Sequence, residues 1–305
     1  MSAAAEVETA VRLPGVGQRF FNDPKNSSYV LPADSEEGRR LNEQHRNICA
    51  AAEGTLVFAP VELKDGDHVL DCATGTGIWT LELASQSPPG VSFQGIDISP
   101  HLFPPPSHTP SNVSFARESI LALPPTFDNA FALVNQRLLI GAFRASEWPS
   151  VLQALYRATK PGGWVQLGEI RTLGICDARS DMPATKRLVE TYTQKLFDAR
   201  ELDIDCALHI EGWARDAGFL NVGSTSRPVP VGAKAGEGEH NFTDGAIGYF
   251  TAITAPTVTC GAATSAEEYL EAVDAMRREW DEVEGVNFPF HWVWAQKPEA
   301  QSNGE

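Results

Sequence analysis

Basic residues are scarce in this chain. Its 305 residues include 24 Lys and Arg against 40 Asp and Glu, a formal net charge of −16. A field of that sign repels polyanions unless a local basic patch offsets it. Arg39-Arg40 and Arg277-Arg278 are only isolated pairs in mixed-charge surroundings. No nucleic-acid partner is therefore expected, and a neutral or cationic small molecule is accommodated more easily. Long apolar runs are missing too; none approaches the ~20 residues of a membrane-crossing helix. The start, Met1-Ser-Ala-Ala-Ala-Glu-Val-Glu, lacks the basic-then-apolar order of a secretory signal. No membrane partner is expected, and a cytoplasmic location is. Five cysteines (Cys49, Cys72, Cys176, Cys206, Cys260) are scattered without a C-x-x-C pair. That count and spacing argue against a disulfide framework and supply no zinc signature, so no metal is expected. Internal repeats are absent.

What is present is enough apolar residue, 42%, for a sizeable core. The length suits one large domain or a core with an attached cap. One stretch organises the rest, His68-Val-Leu-Asp-Cys-Ala-Thr-Gly-Thr-Gly-Ile-Trp79. A short apolar run closes on Asp71, Gly75 and Gly77 follow, and a helical pattern continues through Leu81, Leu83 and Ala84. That is strand, glycine turn, helix. Glycine lets the main chain approach a ligand closely, and the new helix offers unpaired N–H groups to an anionic one. The dinucleotide fingerprint G-x-G-x-x-G lacks its third glycine here, because Thr80 stands in that place. Thr80 is too bulky for the close helix–strand contact the third glycine permits. An acid before the turn suits an amino-acid moiety better than a pyrophosphate, which counts against a nicotinamide dehydrogenase. The next run, Val91 to Ile96, alternates and ends at Asp97, about twenty residues past the glycines. An acid there is placed to bind both hydroxyls of a ribose; alternatively, Asp97-Ile-Ser99 is a turn cap.

These residues resemble the motifs of class I S-adenosylmethionine-dependent methyltransferases. The likeness rests on Asp71-x-x-Thr-Gly-Thr-Gly77, Gly95-x-Asp-x-Ser99 and Lys160-Pro-Gly-Gly-Trp164, and spans roughly Tyr29 to Arg171. A narrower similarity is to fungal secondary-metabolism methyltransferases of the gliotoxin thiomethyltransferase type. It is carried by Tyr29-Val-Leu-Pro32, Arg40-Leu-Asn-Glu-Gln-His45, Gly75-Thr-Gly-Ile-Trp79, Asn135-Gln-Arg-Leu-Leu139 and Lys160-Pro-Gly-Gly-Trp-Val-Gln166. The resemblance implies an α/β fold: a Rossmann-like, seven-stranded, mostly parallel sheet with helices on both faces. An N-terminal helical cover and an inserted helical substrate cap complete it. S-adenosyl-L-methionine is the implied cofactor. Its implied contacts are Tyr29, Asp71, Thr74, Gly75, Gly77, Trp79, Asp97, Ile98, Glu118, Ser119, Asn135, Gln136 and Arg137. Among these, Tyr29 takes the methionine part, and Glu118 and Ser119 read the adenine edge or form a plain strand-end turn.

The expected divisions are 1–60 for an N-terminal tail and cofactor cover, 61–171 for the cofactor-binding core, 172–298 for the substrate cap and closing strands, and 299–305 for a tail. Residues 1 to about 27 are polar and expected to form a mobile tail. Asp34-Ser35 caps a helix through Arg40, Gln44, His45 and Cys49. Pro100 to Pro110 is too proline-rich for a helix. Asn112 to Arg117 and Phe127 to Val134 read as the third and fourth strands, with Asn135, Gln136 and Arg137 at the fourth strand's end. Glu147 to Lys160 reads as a helix ended by Pro161-Gly-Gly163, and Trp164 to Gly168 as the fifth strand. Further helices are expected over Met182–Arg200, Glu211–Phe219, Ala246–Ile253 and Ala266–Glu284. Leu220 to Val231 is a strand broken by Pro228 and Pro230. The alternation Phe288, Phe290, Trp292, Trp294 predicts a last, antiparallel strand, with Pro289 at its start or in a bulge.

Methyl transfer to an acceptor hydroxyl needs a base, whereas a thiol ionises near neutrality. His45 and Glu169 are the candidate bases, with His240 more remote. His45 is otherwise a partly buried surface histidine, and Glu169 a solvated strand end. The expected reaction is methylation of a thiol or hydroxyl of a small secondary metabolite, by a monomer or homodimer. The alternatives are a cofactor-retaining, non-methylating cyclase, in which the sulfonium stabilises a developing anion, and a secondary-metabolism regulatory protein of the same fold.

Overall fold

A computed structural model describes residues 9–13, 17–21, 30–32, 34–176 and 182–300. The chain begins with β1 (Thr9–Leu13), β2 (Gly17–Phe21) and α1 (Ser35–Ala51), then β3 (His68–Cys72), α2 (Ile78–Gln86), β4 (Ser92–Asp97) and β5 (Val113–Arg117). It continues through β6 (Phe131–Arg137), α3 (Trp148–Ala158), β7 (Thr159–Ile170), α4 (Pro183–Arg187), α5 (Gln194–Ala199) and α6 (Cys206–Asp216). It ends with β8 (Leu220–Pro230), α7 (Thr243–Ala252), α8 (Thr254–Thr259), α9 (Ala266–Glu282) and β9 (Asn287–Gln296).

Seven strands form one sheet in the order β5-β4-β3-β6-β7-β9-β8. The five strands from β5 to β7 are parallel, and β9 runs antiparallel to both neighbours. Chain order reverses between β3 and β6, which pair directly, Asp71 opposite Asn135. Open α/β sheets bind ligands outside the carboxyl ends of the strands at such a reversal. Both faces are covered. Val69, Trp79, Leu83, Phe93 and Leu133 pack on one side, and Leu70, Val134, Leu155, Val165 and Trp292 on the other. Alternation within β3 and β6 thus feeds two cores, so these strands read as continuous apolar runs.

Several expectations change. β1 and β2 pair antiparallel where a tail was expected. The fourth core strand, β6, starts at Phe131, because Pro125–Phe127 forms a 3-10 turn. Asn135 to Arg137 lie inside it. Pro161-Gly-Gly163 belongs to β7 and does not cap α3, which already ends at Ala158. Pro228 and Pro230 do not break β8, since β8 is an edge strand and needs ladder donors on one side only. Pro289 sits beyond the last β7–β9 pair, Ile170 with Phe290. The expected helix over 182–200 is continuous but contains a π-helical turn, Leu188–Thr193. Helix α8 was not anticipated. Asp34 does cap α1, accepting from the Glu37 N–H at 3.0 Å. Among the described residues, no helix is long and apolar enough to cross a membrane.

Candidate active site

The turn after β3 is shaped by alternating left-handed residues, Ala73 (φ 56°), Gly75 (φ 55°) and Gly77 (φ 74°). Ala73 is the unusual member, for a side chain disfavours that region. Asp71 explains the stability of the turn. Its Oδ2 accepts from the Thr74 and Thr80 hydroxyls, both at 2.7 Å, and its Oδ1 from the Asn135 amide at 2.8 Å. With about three of four acceptor positions filled, Asp71 organises the turn from within. Thr80 is the reason a third glycine is absent: its hydroxyl ties the first turn of α2 to that carboxylate. Burial pushes the Asp71 carboxyl up, and the three donors and the Arg137 charge pull it back.

Asp97 ends β4 on the other side of the turn. One oxygen accepts from the Gly75 N–H and the other from the Ser99 N–H, both at 3.0 Å. The turn-cap geometry is therefore realised. Each oxygen still has an acceptor position, which suits two vicinal hydroxyls of a ribose. Beside it the Ser99 hydroxyl is buried without a partner among the described residues, and the apolar Ile98 side chain is 40% exposed. Glu118 follows β5 and donates its N–H to the Asp97 carbonyl at 3.0 Å, with Ser119 next in the chain. Trp79 is buried and donates to the Leu56 carbonyl at 3.3 Å, so it supports the turn from below. Tyr29 lies outside the described residues.

Helix α1 crosses this edge. Leu41 lies 3.4 Å from where a Gly75 Cβ would stand, and Asn42 accepts from the Thr76 hydroxyl at 2.6 Å. His45, one turn on, is held by three elements. Arg137 approaches its Nδ1 at 3.1 Å, and Glu82 of α2 its Nε2 at 2.6 Å. A guanidinium only donates, so Nδ1 accepts and Nε2 carries the proton toward Glu82. Burial and the Arg137 charge hold the imidazole down to about 4, against the pull of Glu82. Both ring nitrogens are thus engaged, and His45 acts as a strut among α1, α2 and β6. The Cys49 thiol completes the cluster, 3.5 Å from Nε2. Three metal-type side chains meet there, yet the guanidinium beside the ring disfavours a cation.

Glu169 is not a solvated strand end. It is fully buried, accepting from the Leu139 and Ile140 N–H groups at 2.7 and 3.1 Å and from the Gln136 amide at 2.6 Å. It fixes the bend after β6, where Leu138 adopts φ 61°. Because Gln136 alternates with Asn135 and Arg137 along β6, Glu169 and Gln136 lie on the sheet face opposite His45 and Asp71. Sequence placed His45 and Glu169 together as candidate bases, and the structure separates them. His240 is exposed in a 3-10 turn, Gly238–His240.

Beyond the glycine turn lies a largely apolar cavity lined by Leu41, Leu138, Ile140, Ile170, Phe242 and Phe250, among others. Its polar lining comes from Arg40, Gln44, Thr172 and Tyr249. None of these entered the sequence-based site. Of them only Arg40 and Gln44 carried a signal, as members of the Arg40-Leu-Asn-Glu-Gln-His45 motif.

A seven-stranded sheet with its chain reversal beside a glycine turn, and a strand-end acid with two acceptor positions, define a nucleoside-binding α/β enzyme. Comparison with known proteins narrows this. Residues 69–163 match the family model described as a methyltransferase domain. The chain is 34% identical over 218 residues to the N-methyltransferase sirN of Leptosphaeria maculans, covering 71% of this chain and 75% of that one. It is 31% identical over 259 residues to the N-methyltransferase tcpN of Claviceps purpurea, covering 81% and 89%. It is 29% identical over 282 residues to the N-methyltransferase gliN of Aspergillus fumigatus, covering 89% and 97%. The chain belongs to the class I S-adenosylmethionine-dependent methyltransferases, close to the fungal secondary-metabolism enzymes.

Proposed function

We propose that this enzyme transfers the methyl group of S-adenosylmethionine to a nitrogen atom of a small, largely apolar secondary metabolite held in the cavity beside α1. The observation that carries it is the lining of that cavity. Among the described residues, no carboxylate and no imidazole lines it. Burial pushes the Tyr249 phenol up, so it stays protonated and is not available to take a proton. A hydroxyl acceptor lacks a proton acceptor there, whereas an amine that enters neutral needs none. An apolar site favours that neutral form. The names of the three relatives support nitrogen as well.

When bound, S-adenosylmethionine supplies an electrophilic methyl on a positively charged sulfur. In the proposed arrangement Asp97 holds the ribose hydroxyls, Ile98 lies against the adenine face, and Glu118 and Ser119 meet its edge. Asp71, Thr74 and Asn135 keep the Gly75–Gly77 main chain in place, and Arg137 offers its charge to the methionine carboxylate. Residues of α1 and of the bend after β6 orient the acceptor, and this proximity supplies much of the acceleration. The partner is a small molecule, with neither nucleic acid nor membrane involved, and the assembly a monomer or homodimer.

Purified protein incubated with S-adenosylmethionine and panels of amines, lactams, thiols and phenols tests this. S-adenosylhomocysteine release with methyl on nitrogen is the expected result. Methyl found only on sulfur or oxygen would reassign the acceptor. Tight cofactor binding with no turnover would favour a cofactor-retaining, non-methylating enzyme. Asp97→Ala should weaken S-adenosylmethionine binding about tenfold or more, since a hydrogen bond to a charged group contributes about 1.5–3 kcal/mol. Calorimetry that finds wild-type affinity removes Asp97 from the ribose site.

A further inference from the structure

The acceptor cavity is lined by a residue whose buried hydroxyl no described residue pairs. Tyr249 stands on α7, and its side chain lines the cavity. Its hydroxyl is shut off from solvent and has no hydrogen-bond partner among the described residues. Buried polar groups are almost always paired, so an orphan in a ligand cavity calls for a partner from outside the chain. The surrounding polar groups define that partner. Arg40 lines the same cavity and is bonded bidentately by Glu37, Nη2 to Oε1 at 2.6 Å and Nε to Oε2 at 2.9 Å. That carboxylate offsets the guanidinium, so no net charge is offered to an anion. Gln44 turns its amide oxygen to Arg40 at 3.2 Å, which leaves its NH2 group as a donor. This corner of the cavity is therefore rich in neutral donors and poor in acceptors.

We propose that Tyr249 is a specificity-determining residue whose hydroxyl donates to a neutral carbonyl oxygen of the methyl acceptor, selecting amide- or ketone-bearing metabolites over hydrocarbon-like ones. It rests on the assignment of this cavity to the acceptor. Burial keeps the phenol protonated across the neutral range, so the donor is present at any working pH. The ring itself packs edge-on against Phe250, centroids 5.2 Å apart, which holds the hydroxyl in one position.

The test uses acetophenone and isopropylbenzene, a pair that exchanges a carbonyl oxygen for a methyl group. Binding of each to the S-adenosylhomocysteine-loaded enzyme is measured by ligand-observed NMR, for wild type and Tyr249→Phe. The variant should bind acetophenone about tenfold more weakly, the loss expected of one buried hydrogen bond, with isopropylbenzene unchanged or tighter. The thermal midpoint of the ligand-free variant should be unchanged or raised, because the hydroxyl it loses is unpaired. Acetophenone affinity unaltered by the substitution overturns the role of Tyr249 while leaving the cavity assignment intact. So does a lowered midpoint, which would give the hydroxyl a structural partner. If neither probe binds the wild type, the cavity assignment fails and the inference with it. Binding is read without turnover, so methyl transfer to sulfur or oxygen in the activity assay would correct the acceptor atom alone.

Discussion

Gly77→Val is expected to abolish measurable S-adenosylmethionine binding and to lower the thermal midpoint by several degrees. Gly77 sits at φ 74°, where an L side chain is disfavoured by about 1–2 kcal/mol. A Cβ there would stand 2.6 Å from the Phe115 ring. Phe115 has little room to retreat. The same ring lies 2.5 Å from where a Gly95 Cβ would be, and Phe103 packs against it at 5.5 Å between centroids. Overpacking of this kind costs about 1–3 kcal/mol more. The strain falls on the turn proposed to present its main chain to the cofactor, so binding should suffer beyond stability. Calorimetry and a thermal scan check this together. Gly77→Ala should fall between the two. A valine variant with wild-type affinity would place the cofactor elsewhere.

The second large effect is expected at Glu169. In Glu169→Ala the Leu139 and Ile140 N–H groups and the Gln136 amide lose their acceptor in a fully buried place. At about 1–3 kcal/mol for each unpaired donor, and with water refilling part of the space, the loss comes to roughly 3–6 kcal/mol. The bend at Leu138 to Gly141 lines the cavity proposed for the acceptor, so catalytic efficiency should fall more than a hundredfold. Cofactor affinity should change far less, because Asp97 and the glycine turn do not depend on this bend. The split between the two readouts distinguishes a positioning residue from one that touches the cofactor.

Glu169 also carries a pH signature. Burial raises its carboxyl to about 7, the three donors notwithstanding. The folded state then holds a proton that the unfolded chain has released above its ordinary value near 4.5. Its contribution to stability is therefore complete below about 4.5 and lost as pH rises through about 7. Glu169→Gln removes the titration. Its midpoint should be flatter than that of the wild type across this window, and parallel curves would show that the carboxyl does not titrate there.

The turn was legible in the sequence because its causes are local. Glycines at 75 and 77 permit the left-handed backbone, Asp71 sits a few residues away, and Asp97 closes the adjacent strand. Thr80 is instructive: its size spoke against a dinucleotide, but its hydroxyl bond to Asp71 emerges only once α2 is folded back on β3. The β1–β2 pair was missed because both strands are short and mixed in polarity. Pro228 and Pro230 misled for a related reason. Their tolerance depends on β8 lying at the sheet edge, which no run of residues states.

By itself, then, the sequence determined the class of sheet, the glycine turn and the acid that ends the neighbouring strand. The glycine turn and the acid follow from backbone preference and periodicity within about twenty residues, and the class of sheet from the family resemblance that those residues carry. Only the tertiary structure decided what His45 and Glu169 do. It set one against Arg137 and Glu82, and closed the other with donors from the bend after β6. Only the tertiary structure also assembled the apolar cavity, from α1, the ends of β6 and β7, and α7, with Tyr249 in its lining. The physical reason is range. A residue's backbone answers to its neighbours in the chain, whereas its hydrogen-bond partners, its burial and any cavity it lines are supplied by segments about thirty to two hundred residues away.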